Sequence, residues 1–404
     1  MIARERDDAP VIEYDPYMPE IKEDPLPIYA RMRAECPIYP VERFDAWALT
    51  RFEDIWSVCE NGAYFSSANG NQGLDLLERR PSSLQTVASM DGDAHRRLRK
   101  ALFPHFGPRA ARRLSLAVRG WARECIEAQI PAGRIDAVRD YAQQIAVRVS
   151  CTISGLPVED CDLLLDLVQR FFTRVEGTEG FAAEGQKAVV GLWDYLEAAS
   201  RDRRASGREG GDALDTLTQF RDEAGELLSD ERIARHLLLL VVGATETLPK
   251  VFASALLRLA EHPDQRRELR RDPSLIPAAL HEVLRFDTPT QWLGRTVIRD
   301  YELRGYTFRV GQPVLMIFPS ANRDALEFNE PDRFDIHRNA PRILSFGHDT
   351  HRCLGNHMAQ MEGRVLLEEL LVRFPDYEVL GEELLRPATE FVQGYSHFPI
   401  AFRA

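Results

Sequence analysis

The sequence predicts a mainly α-helical fold with small β-sheets, and three features predict it. The stretch from Ser229 to about Glu261 reads as one long helix. Apolar Met358, Met361, Val365 and Leu366 recur at helical spacing. Two short stretches, 38–50 and 296–318, instead carry strand-like alternation broken by turn residues.

Taken in order, Ile38 to Thr50 predicts a hairpin around Arg43-Phe44-Asp45. Residues 66–73 (SSANGNQG) and 201–212 (RDRRASGREGGD) have the composition of exposed loops. Ser229 is the N-cap of the long helix, which stops before His262-Pro263 and spans about 48 Å at 1.5 Å per residue. Leu237 to Val242 is apolar all round, so this helix crosses the interior. Pro249 has no N–H for the Thr245 carbonyl, which predicts a local opening around Ala244 and Thr245. Thr296 to Phe318 reads as short strands punctuated by Gly305 and Gly311. The helix after Leu354 ends before Pro375 and leaves Cys353 just ahead of its positive end, which favours a thiolate. With no repeat and no long linker, residues 1–404 are expected to form one domain.

Of the 404 residues, 44% are hydrophobic and 28% charged, an ordinary globular composition. The balance of 51 basic and 63 acidic side chains, −12, argues against nucleic acid as a partner. Only four lysines occur (Lys22, Lys100, Lys187 and Lys250), so arginine supplies most cationic contacts. Six scattered cysteines without a C-x-x-C pair suggest a reducing compartment. The N-terminus lacks a signal-like apolar segment and the longest aliphatic run is far below the roughly 18 residues of a membrane span, so the expectation is a soluble, cytoplasmic protein with no membrane span.

The densest chemistry lies in Phe346-Gly347-His348-Asp349-Thr350-His351-Arg352-Cys353-Leu354-Gly355. A thiol with nearby histidines suits a metal or a metallocofactor. Zinc on His348, His351, Cys353 and His357 is one reading, although these spacings match no common finger. Elsewhere Glu282 and Arg285 share a helix face, followed by Asn322-Arg323-Asp324 and Pro331-Asp332-Arg333-Phe334. Gly243-Ala244-Thr245-Glu246-Thr247 lies within the long helix, and His95 and Arg99 stand four apart in Asp91 to Arg99.

In this order the motifs resemble those of the cytochrome P-450 superfamily, in its bacterial, soluble, partner-dependent form. The resemblance implies that family's fold, with haem b buried between the long central helix and the helix following the cysteine loop. It implies Cys353 as the axial ligand of the haem iron, with Phe346, Gly347 and Gly355 shaping the loop around it. Asp349 stands where the family usually has a second glycine, so either a different turn or a carboxylate near the proximal face is expected there. His95, Arg99, Arg295 and His351 become partners of the haem propionates, and Ala244 borders the haem. Thr247 becomes the hydroxyl that hydrogen-bonds dioxygen, and Glu246 its proton source. Glu282, Arg285 and Arg333 become a buried structural network.

The implied activity is a haem-thiolate monooxygenase that hydroxylates a largely apolar small molecule. Its two electrons would come from NAD(P)H through an external ferredoxin or flavodoxin-type donor. The implied pocket draws on the segment from Leu74 to Val87, on Phe171, Phe172, Leu239, Val242 and Gly243, and on Gln291, Trp292, Leu293 and Val392. The basic cluster Arg96, Arg97, Lys100, Arg109, Arg112 and Arg113, with Arg352, is the expected docking face for the electron donor. The alternative is a haem-thiolate protein that binds ligands or uses peroxide without reductive oxygen activation, for which Glu246 and Thr247 would be unnecessary.

Overall fold

Ser229 caps the longest helix, Asp230–Glu261, by accepting a hydrogen bond from the Arg232 N–H. The computed structural model describes residues 12–80, 85–175, 179–207, 209–387 and 389–402, and in it this 32-residue helix is the axis of the molecule. Helices Gln143–Ser154, Ala183–Ser206, Ile276–Phe286 and Asn356–Arg373 pack directly on it. By length and composition the helix could cross a membrane, but 72% of its most apolar 18-residue window is buried inside the protein.

The helix is unbroken from Asp230 to Glu261, so the local opening expected at Pro249 does not occur. Proline removes one backbone bond, yet helical geometry persists on both sides of the gap. The threonine hydroxyls bond back along the same helix: Thr245 Oγ1 donates to the Val241 carbonyl at 2.7 Å and Thr247 Oγ1 to that of Gly243 at 3.1 Å.

The predicted hairpin is present as Ile38–Val41 antiparallel to Ala46–Leu49. It extends into a five-stranded sheet whose next members are Pro313–Ile317, Trp292–Val297 and Phe65–Ser66. Strand alternation gives this sheet two cores. Leu315, Ile317 and Trp292 face an N-terminal cluster around Tyr29 and Met32. Val314, Met316 and Val297 face the main core. Smaller sheets pair Tyr301–Leu303 with Tyr306–Phe308, and Arg134–Asp136 with Pro399–Ala401 and Glu378–Val379.

The loop expected over 201–212 begins later than its composition implies. Helix Ala183–Ser206 runs on to Ser206 and ends at Gly207, whose φ of 59° suits glycine. Arg203 is buried and paired with Asp212 at 2.9 Å and with Asp215, which turns a polar sequence into an anchored structure.

Candidate active site

The cysteine loop is folded by its own backbone. The Cys353 N–H donates to the Phe346 carbonyl at 2.7 Å and the Gly347 N–H to that of Leu344 at 2.8 Å. Gly347 (φ 64°) and Asp349 (φ 54°) both adopt left-handed conformations. The loop therefore keeps at Asp349 a backbone that glycine would adopt freely, contrary to the expected change of turn. Asn356 Nδ2 donates to the Cys353 carbonyl at 2.8 Å as helix Asn356–Arg373 begins.

Cys353 retains exposed surface while protein surrounds its thiol. Burial pushes that thiol up, while the Gly355 N–H, Arg99 and Arg352 oppose the rise by favouring the anion. The central helix also borders open space. Gly243 is exposed in the middle of a buried helix, and no atom lies within 4 Å of where its Cβ would stand. Ala244 and Thr247, on the same face, are partly exposed. Glu246 is turned into the protein, where Lys250 Nζ lies 2.6 Å from its Oε1. Burial raises the Glu246 carboxyl and the ammonium opposes it.

A third group collects cationic and N–H groups with few acids. Arg295 is 6% exposed, and its one hydrogen bond among the described residues goes to the Gly294 carbonyl at 2.9 Å. The His95 and His351 rings stack at 4.3 Å, 13° from parallel. His95 is buried with Nε2 unpartnered, and burial, then His351 and Arg99, hold it down at about 4. His351 Nε2 lies 3.2 Å from Asp91 Oδ1. Burial works to raise Asp91, but bonds from His351 and Ser66 outweigh it and hold the carboxyl at about 2. The Arg99 guanidinium donates to the Arg352 carbonyl.

A buried guanidinium without a carboxylate and an imidazole nitrogen without a partner are costly unless an anion completes them. A flat dicarboxylate cofactor whose metal takes a thiolate answers both needs, so these residues fit haem. The zinc alternative is not supported. His348 bonds Glu60 at 2.9 Å and stacks on Trp56, His351 bonds Asp91, and His357 lies edge-on to Phe103. Among the described residues no three His, Cys, Asp or Glu side chains are grouped to hold an ion.

The expected Glu282, Arg285, Arg333 network is corrected in its third member. Arg285 donates to both Glu282 oxygens at 2.7 Å, and both side chains are buried. Arg338 Nε completes the set at 3.0 Å from Glu282 Oε1. The Arg333 side chain is 63% exposed on Glu330 and contributes only its carbonyl, which accepts from Arg285 and Arg338. Both arginines belong to one irregular segment, and sequence spacing alone does not tell which turns inward.

Three expected pocket residues, Gln291, Trp292 and Leu74, face elsewhere. Gln291 accepts a hydrogen bond from Tyr29 Oη at 2.7 Å, and Trp292 is buried in the N-terminal cluster. Leu293, next along the alternating strand, packs toward the main core instead. Leu74 packs against the N-terminal cluster, and residues 81–84 of the expected stretch lie outside the described residues. Val87, Leu239, Val242 and Phe171 belong to the main core, Phe172 stacks in line with Phe391, and Val392 bridges to Thr290. Arg96, Arg97, Lys100, Arg109, Arg112, Arg113 and Arg352 are all exposed. Sequence reasoning missed Asp91, Lys250 and Arg338. The Glu246, Lys250 spacing of four was the one available signal among them.

The sequence family Cytochrome P450 matches over residues 181–380. A putative cytochrome P450 123 of Mycobacterium bovis is 33% identical over 98% of both chains. The vitamin D(3) 25-hydroxylase of Pseudonocardia autotrophica is 32% identical over 96% of both. Among solved structures, a mutant of P450 EryK in complex with erythromycin B superposes with a TM-score of 0.86 at 27% identity, covering 96% of this chain and 98% of that one.

Proposed function

Because this chain belongs to the cytochrome P450 family and is a haem-dependent monooxygenase, we propose that Cys353 ligates the haem iron and that a separate iron–sulfur or flavin protein supplies the electrons. The observation that carries this reading is the exposed Cys353 at the end of a backbone-bonded loop, with the Gly355 N–H, Arg99 and Arg352 placed to favour its anionic form against the effect of burial. Bound haem with an anionic sulfur ligand supplies reductive activation of dioxygen for insertion of one oxygen atom into an organic substrate.

The chain's own residues have separable tasks. Arg295, His95, Arg99 and His351 would donate hydrogen bonds to the two haem carboxylates, which would satisfy the buried guanidinium and the orphaned His95 Nε2. Phe346, Gly347 and Gly355 hold the loop that aims the sulfur. Gly243 and Ala244 leave room beside the central helix, and the Thr247 hydroxyl on that face donates a hydrogen bond and passes a proton. Glu246, held by Lys250, is the proton reservoir behind Thr247.

We assign the substrate lining to Val87, Phe171, Phe172, Leu239, Val242, Leu293 and Val392, whose apolar side chains suit a largely apolar small organic substrate. The relative named vitamin D(3) 25-hydroxylase acts on a substrate of that class. The exposed Arg96, Arg97, Lys100, Arg112, Arg113 and Arg352 support docking of an acidic ferredoxin or flavodoxin fed by NAD(P)H. The test is turnover of an apolar substrate panel under labelled dioxygen with ferredoxin, its reductase and NAD(P)H. One labelled oxygen atom per product, at a rate that falls with added salt, supports the proposal. Product formed with peroxide alone, and none with the electron donors, overturns it.

A further inference from the structure

The sulfurs of Cys151 and Cys161 lie 3.6 Å apart, the one thiol pair in contact among the described residues. Cys151 is fully buried on helix Gln143–Ser154. Cys161 is the first residue of the eleven-residue helix Cys161–Phe171. The turn between them starts at Gly155, whose φ of 80° folds the second helix back against the first. Cys161 also borders an open groove lined by Trp121, Gln144, Arg148 and Asp162, which gives small solutes a way in.

The two thiols are unequal. The S–H···S contact lowers Cys161 and raises Cys151; at Cys161 burial, Asp162 and Asp160 oppose the fall and Arg148 supports it. A helix N-terminus favours the same anion. Cys161, itself buried at 6% exposure but lining the groove, is the more reachable sulfur, and the fully enclosed Cys151 is in contact behind it.

We propose that Cys151 and Cys161 are a redox-active dithiol site whose substrate is a small hydroperoxide, with Cys161 as the attacking sulfur and Cys151 as the resolving one. The Cys161 thiolate attacks one peroxide oxygen, the O–O bond breaks, and the leaving oxide takes a proton to become an alcohol or water. Cys161 is then a sulfenic acid. The Cys151 sulfur attacks it, the S–S bond forms, the S–O bond breaks, and hydroxide leaves as water with the Cys151 proton. In sum the two thiols lose two electrons and the hydroperoxide gains them. Closing the contact to a disulfide needs an approach of about 1.6 Å from the present 3.6 Å. The product ties the helix that ends at Phe171 to a helix packed on the central one.

The test uses the full-length holoprotein, a brief exposure to a few equivalents of hydrogen peroxide, alkylation of free thiols and peptide mass mapping. The expected result is that Cys151 and Cys161 escape alkylation until dithiothreitol is added, with their peptides joined and lighter by two hydrogens. In Cys151→Ser the expected product is a dimedone-trapped sulfenic acid on Cys161, and in Cys161→Ser the Cys151 thiol remains free. Full alkylation of both residues in the wild-type protein at a dose that oxidises free glutathione overturns the proposal, as does linkage to another cysteine. The wild-type map decides the matter even if a variant fails to fold.

Discussion

Thr247 and Glu246 are neighbours in sequence with opposite surroundings. The Thr247 hydroxyl sits on the open face of the central helix, bonded to the Gly243 carbonyl at 3.1 Å. Glu246 is enclosed and ion-paired with Lys250. Thr247→Ala removes the hydroxyl without disturbing a buried contact, so the variant is predicted to keep haem while diverting reducing equivalents to peroxide or water. The measurement is product formed per NAD(P)H consumed, with a several-fold drop expected, and an unchanged ratio would remove Thr247 from its assigned role. At this scale the sequence was informative where a residue's neighbours in the chain are also its neighbours in space. Cys353 and its loop were readable for that reason. Asp349 was not, because only the fold reveals that its φ of 54° preserves the glycine conformation.

The helix Ile276–Phe286 and the irregular segment that follows the five-stranded sheet meet through Glu282, Arg285 and Arg338. A buried carboxylate stripped of a cation is expensive because desolvation is no longer offset. Arg338→Ala leaves Arg285 as the one cation on Glu282, takes one donor from each of the Glu330 and Arg333 carbonyls, and strips the Asn329 carbonyl of its Arg338 bond. We predict a loss of about 2 to 3 kcal/mol for Arg338→Ala. For the exposed Arg333→Ala the expected change is within about 0.5 kcal/mol. Denaturant midpoints of the two variants check this, and equal losses would restore Arg333 to the network. The helix over 230–261, the hairpin and the helix after Leu354 were legible because each is fixed by local periodicity and caps. The inward turn of Arg338 and the placing of Gln291 and Trp292 against the N-terminal cluster were not, since both depend on which core a chain segment meets.

The whole molecule is organised around a helix whose middle exposes Gly243 and whose N-terminal half carries buried His236. Burial, aided by Arg232 and Arg235, holds His236 down at about 4 against an ordinary 6.5. Below pH 6.5 the unfolded chain gains a proton that the folded chain refuses until about pH 4. Stability therefore falls as pH drops through that window, by at most about 1.4 kcal/mol per pH unit from this group. His236→Leu is predicted to flatten that acid slope in denaturant titrations at stepped pH, and an unchanged slope would mean His236 is protonated in the fold. The fold class and reaction class were legible from ordered motifs spread over most of the chain, while the identity of the substrate depends on side chains converging from distant segments. The central claim, a Cys353 thiolate on haem iron, is tested most directly by the absorption spectrum of the dithionite-reduced protein under carbon monoxide. The account predicts a Soret band far to the red of ordinary ferrous-carbonyl haem, and its loss in Cys353→His. A band at the ordinary position in the wild-type protein, or a red-shifted band that survives in Cys353→His, would contradict it.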